Sequence, residues 1–87
     1  MSQLLDDIVL EIADAPHSAA ALTLYALVST LEFEQAGYLF KLVKLRDLSA
    51  EQRQLAYRLM DLMADGGNQG EQWDQAKARM DELVRAG

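Results

Sequence analysis

Leu4, Leu5, Ile8, Val9, Ile12 and Ala13 recur at i, i+1, i+4, i+5, i+8 and i+9. That period draws one apolar stripe along an α-helix over residues 3–13. Ser2 suits its N-cap, and Asp6 and Asp7 lie near the positive end of the helix dipole. Pro16 ends the helix, because it disfavours the α conformation at Ala15. A proline also suits the first turn of the helix that follows. That second helix, 18–31, is apolar round most of its circumference, with Ala19, Ala20, Ala21, Leu22, Leu24, Tyr25, Ala26, Leu27, Val28 and Leu31. A helix of this kind is normally buried on several sides.

A third helical period spans 33–45. Phe33, Ala36, Phe40 and Val43 form one row, with Leu39 and Leu42 beside it. Gly37 inside this pattern costs about 1 kcal/mol relative to alanine. The pattern leaves open whether 18–31 and 33–45 are one bent helix or two, with the break expected in 32–35. Ser49-Ala50-Glu51-Gln52 reads as a capping box that starts a fourth helix over 50–64. Leu55, Ala56, Leu59, Met60, Leu62 and Met63 make its buried stripe, and Gly66 or Gly67 supplies a left-handed stop. Asn68 with Glu71 suggests the start of a fifth helix, 70–85. There Trp73, Ala76, Met80, Leu83 and Val84 form the apolar stripe, and Asp74, Lys77, Asp81 and Arg85 form a solvated face.

No run alternates in the manner of a strand, so the expected fold is all-α, a compact bundle of four to five helices. It forms a single domain over 1–87. Helix 18–31 should be central, with 3–13, 33–45 and 50–64 around it. The last helix should cover one side through Trp73, Met80 and Leu83.

Composition adds a tension to this picture. Of the 87 residues, 51% are hydrophobic, at the top of the usual range, while a chain of this size buries only roughly 60–65% of its unfolded surface. Some apolar surface is therefore expected to face a second copy. The apolar stretch 18–43 is the expected place, through Leu24, Tyr25, Leu27, Val28, Leu31, Phe33 and Phe40. Leu24→Glu or Phe40→Glu should then leave insoluble or monomeric protein.

Charge divides the chain into segments. Residues 1–34 carry Asp6, Asp7, Glu11, Asp14, Glu32 and Glu34 and no lysine or arginine. Residues 41–58 carry Lys41, Lys44, Arg46, Arg53 and Arg58 against Asp47 and Glu51, a net of +3. Residues 61–87 return to −3, and the whole chain stands at −6. Lys41, Lys44, Arg46 and Arg53 form a candidate basic partner patch. They can face the acids of 6–14 in the same chain or in a second copy. Single surface pairs are worth about 0–1 kcal/mol, but their arrangement sets orientation and encounter rate.

The acidic total disfavours nucleic acid as a partner. The longest uncharged run, 15–31, is interrupted by Pro16, Ser18, Thr23, Ser29 and Thr30, and it falls short of the ~20 apolar residues of a membrane span. No membrane association is expected.

Candidate chemistry is sparse. The chain holds no cysteine and one histidine, His17. The absence of thiols and of a basic, apolar leader points to the cytoplasm. His17 and Ser18 are adjacent at a helix start, where a nucleophile and its base do not face each other, so both are read as serving the helix N-terminus. Asp65-Gly66-Gly67-Asn68 has a faintly calcium-like composition. An EF-hand register from Asp65 would put Gly67 and Ala76 where oxygen ligands are required, and one from Asp61 would put Met63 and Gln72 there. No metal or cofactor is expected.

These features favour a small non-enzymatic interaction or regulatory protein, a homodimer acting through a self-associating helical surface, with another protein as a further possible partner. A ligand-binding or enzymatic helical domain is the alternative. It would need a polar pocket lined by Tyr25, Tyr38, Glu34 or His17. Nucleic-acid binding through 41–58 is a second alternative, with 33–45 and 50–64 imitating a helix-turn-helix.

Overall fold

Four α-helices and one short 3₁₀ helix follow one another among the residues that the computed structural model describes, 3–32 and 42–86. Helix α1 is Gln3–Asp14, α2 is Ala19–Glu32, the 3₁₀ helix is Leu42–Asp47, α3 is Ala50–Ala64 and α4 is Glu71–Arg85. No strand occurs among the described residues. The architecture is the all-α bundle that the hydrophobic period predicts.

Local chemistry sets most of the helix ends. At the start of α2 the Ser18 hydroxyl accepts the Ala21 N–H at 3.0 Å and donates to the Ala15 carbonyl at 2.8 Å. At the start of α3 the capping box is complete. The Gln52 N–H donates to Ser49 Oγ at 3.2 Å, and the Ser49 N–H donates to Gln52 Oε1 at 2.8 Å. Leu48, just before the cap, is buried in the core, and its carbonyl accepts from Arg53 Nε at 3.2 Å.

The end of α3 is a Schellman motif. Gly66, with φ +80°, donates to the Met63 carbonyl at 2.9 Å, and Gly67 donates to the Leu62 carbonyl at 2.9 Å. A left-handed residue closes the last turn and satisfies two orphan carbonyls.

The start of α4 departs from expectation. Its N-cap is Gly70, with no side-chain cap. Asn68 instead donates from Nδ2 to the Leu31 carbonyl at 2.7 Å. The asparagine thereby ties the segment before α4 to the last described turn of α2.

Helix α2 packs against α1, α3, α4 and the 3₁₀ helix, as its apolar character predicts. Helix α1 shares the central role, packing against α2, α3 and, most extensively, α4. Ile8 and Ile12 of α1, Leu24 and Val28 of α2, Leu59 of α3, and Trp73 and Met80 of α4 are shut off from water. The molecule is nearly isotropic, 27 × 26 × 24 Å.

The expected helix 33–45 meets the structure only at its end, since 33–41 and the question of a bend after Glu32 lie outside the described residues. Residues 42–47 are 3₁₀, not α, and Val43 does not sit in a buried row. Leu42 is 70% exposed and Val43 54%. Leu45 instead packs against the core, and Leu48, just after the 3₁₀ helix, is buried in it.

Candidate functional site

Two places combine charge with apolar surface in an unusual way. The first is a polar corner between α2 and α4. Lys77 is only 7% exposed. Its Nζ lies 2.7 Å from Asp81 Oδ1 and 3.2 Å from Glu32 Oε2, and 4.9 Å from the centre of the Tyr25 ring. The Tyr25 hydroxyl donates to the same Asp81 oxygen. The cation therefore has two carboxylates and an aromatic face.

Burial alone would lower the Lys77 pKa, but hydrogen bonds to Asp81 and Glu32 outweigh it and hold the ammonium above its ordinary value. Burial would likewise raise Asp81, yet its hydrogen bonds to Lys77 and Tyr25 leave it lowered. Burial, then the bond to Asp81, raises the Tyr25 phenol. Every shift favours the charged lysine, the charged aspartate and the neutral tyrosine. A site for proton transfer needs the opposite tuning, a lysine brought down or a carboxyl brought up towards neutral pH. The corner acts as a latch between helices.

This corner corrects the assignment of Lys77 and Asp81 to a solvated face. Lys77 is four residues after Trp73 and three before Met80, so it stands on the apolar side of α4. The helical register carried that signal, although lysine's charge concealed it. Glu32, at the end of α2, could be placed beside Lys77 only by the packing of α2 on α4.

The second place is the outer ridge of α1. Leu10 is 68% exposed and has a groove on each side. One groove, ≈ 450 Å³ between α1 and α4, is lined by Leu5, Asp6, Val9, Leu10, Gln72, Gln75, Ala76 and Arg79. The other, ≈ 350 Å³ between α1 and α3, is lined by Asp7, Leu10, Glu11, Glu51, Gln52 and Leu55. Gln52 of α3 and Glu11 of α1, on opposite sides of the second, are joined by a hydrogen bond from Gln52 Nε2 to Glu11 Oε1 at 2.8 Å. The ridge is thus apolar at its crest and acidic at its flanks.

The residues expected to mediate self-association are placed otherwise. Leu24, Leu27, Val28 and Leu31 are buried within the chain's own core, so they are not exposed surface. Tyr25 is half-buried and belongs to the latch. Phe33, Phe40 and Lys41 lie outside the described residues. The physical reason is α2's position: its neighbours on several sides cover the apolar circumference that the sequence left uncovered. Leu22 is its large hydrophobic residue left exposed.

Of the basic patch, Lys44, Arg46 and Arg53 are exposed. Lys44 lies 4.0 Å from Asp47, and Arg53 is held by the Leu48 carbonyl. No ion pair joins these three bases to the acids of 6–14 among the described residues.

Ser18 serves the start of α2 as expected, whereas the His17 ring does not cap that helix but reaches the end of α4. His17 Nε2 is 2.9 Å from the Val84 carbonyl. It thereby ties the start of α2 to one of the free carbonyls at the end of α4. Tyr38 and Glu34, named for a polar pocket, lie outside the described residues. No group of three or more His, Cys, Asp or Glu side chains able to hold a metal ion occurs among the described residues. Among them, too, no helix is long and apolar enough to cross a membrane. No family model, curated protein or solved structure matches the chain.

Proposed function

We propose that the protein is a non-enzymatic interaction or regulatory module, working in the cytoplasm and acting through self-association as a homodimer. One observation carries the reading. Among the described residues, two of the surfaces that leave large hydrophobic side chains exposed carry opposite charge. Leu10 stands among Asp6, Asp7 and Glu11, while Leu42 and Val43 stand beside Lys44 and Arg46. Exposed apolar surface rimmed by charge is the usual composition of a protein-binding patch. The charged groups with the fullest set of partners, Lys77 and Asp81, are consumed in joining α2 to α4, which leaves them poorly suited to chemistry.

The test is the mass in solution. Light scattering in the micromolar range should give twice the 9.7 kDa chain. A monomer across that range would overturn the reading.

A further inference from the structure

The two exposed apolar surfaces lie on either side of one point, the N-terminus of α3. The 3₁₀ helix Leu42–Asp47 runs into α3 through Leu48 and Ser49, and it displays Val43 and Arg46 on one edge, since residues three apart eclipse in a 3₁₀ helix. Across the first turn of α3, Glu51 and Gln52 form one wall of the groove whose other wall is Asp7, Leu10 and Glu11 of α1. A basic apolar patch therefore adjoins an acidic apolar groove. They are not joined to each other by an ion pair among the described residues.

We propose that the partner for this groove is a second copy of the chain, docked about a twofold axis near the N-terminus of α3. The α1–α3 groove of each copy receives the 3₁₀ helix of the other. A twofold axis exchanges the two surfaces, so residue i meets residue j and j meets i. Adjacent patches of opposite sign then each meet their opposite, twice. Val43 of one copy packs against Leu10 of its partner. Lys44 and Arg46 approach Asp7 and Glu51. The proposal rests on the self-associating reading above and supplies its surface, register and symmetry.

Charge reversal provides the test, because the groove and the 3₁₀ helix can be altered separately. In Asp7→Lys with Glu51→Lys both surfaces become basic, and in Lys44→Glu with Arg46→Glu both become acidic. Each double variant alone should dimerise at least about tenfold more weakly, since like charges then face each other. Mixed in equal amounts, the two should restore a heterodimer at close to wild-type strength. Sedimentation velocity with one variant fluorescently labelled reads both results, and circular dichroism shows whether each remains folded. Leu10→Ser, which changes no charge, should weaken the wild-type dimer independently. Reversed variants that dimerise as well as wild type, or a mixture that stays monomeric, would overturn the docking while leaving wild-type self-association intact. A wild-type monomer would remove the underlying reading itself.

Discussion

Lys77 and Leu10 invert the usual sorting of side chains, one a cation inside the protein and the other a leucine outside it. The lysine is inside because its surroundings replace water. Two carboxylates and the Tyr25 ring compensate the ammonium, and its aliphatic stem lies on the same face as Trp73 and Met80. The leucine is outside because nothing in the described chain covers it. Its neighbours are grooves and acids rather than another helix. A charged group with its partners satisfied contributes to the fold, whereas an apolar group without cover is left for a second molecule. The same contrast recurs within single helices. On α1, Ile8 is shut off from water two residues before exposed Leu10. On α4, buried Lys77 precedes exposed Arg79, which pairs with Glu82 at the surface.

The sharpest break of this comparison is on α1. Ile8→Ala removes buried methylenes and should cost about 2–5 kcal/mol, read as a lower midpoint in urea unfolding. A loss comparable to that of a surface substitution would mean that this face of α1 is not core.

The latch ranks next. Lys77→Met keeps the stem and removes the charge, leaving Asp81 and Glu32 without their cation. Those carboxylates are about a quarter exposed, so the cost should be near 2 kcal/mol, below that of a wholly buried pair. Arg79→Met, at an exposed pair, should cost under about 0.5 kcal/mol. Equal effects at the two positions would show that Lys77 is solvated.

The latch also gives the stability a pH signature. Lys77 and Tyr25 are raised in the folded protein, so their contribution is present below the unfolded values of about 10 and is lost as pH rises through the folded ones. Asp81 is lowered, so its contribution is present above about 3.9 and is lost as pH falls through the folded value. Lys77→Met should flatten the alkaline fall in urea stability relative to wild type. An unchanged profile would remove the latch as its source.

The smallest effect on stability belongs to the ridge. Leu10→Ser should shift unfolding of the isolated monomer by less than about 0.5 kcal/mol, although its dimer weakens. A large loss of monomer stability would show that Leu10 packs within its own chain.

Much of this arrangement is legible in the sequence, but unevenly. The period of Leu4, Ile8 and Ile12 fixes the buried side of α1, since residues four apart share a face. Ser18, Ser49 with Gln52, and Gly66 mark helix ends through contacts made within a few residues. The candidate surface was less legible. Composition raised the matter of exposed apolar groups, and of the residues named for it Leu24, Leu27, Val28 and Leu31 turn into the chain's own core, while Phe33 and Phe40 lie outside the described residues. Helix α2 is apolar largely because it is surrounded, although Leu22 stays exposed on it, while Leu10, Leu42 and Val43 belong to α1 and the 3₁₀ helix.

What the sequence determined by itself was the helical class, the inner face of α1 and most of the helix boundaries. These depend on backbone geometry and on neighbours three or four residues away, which any helix of this sequence brings together. Only the tertiary structure decided that Asn68 serves Leu31, that His17 meets Val84, and that Glu32 comes to Lys77. It also decided that Leu10 remains outside. Each of these depends on which helix passes alongside, and a side chain's burial or pairing is completed by residues far away in the chain. The hydrophobic period can show which way a side chain points, but the packing of the other helices determines what it meets there.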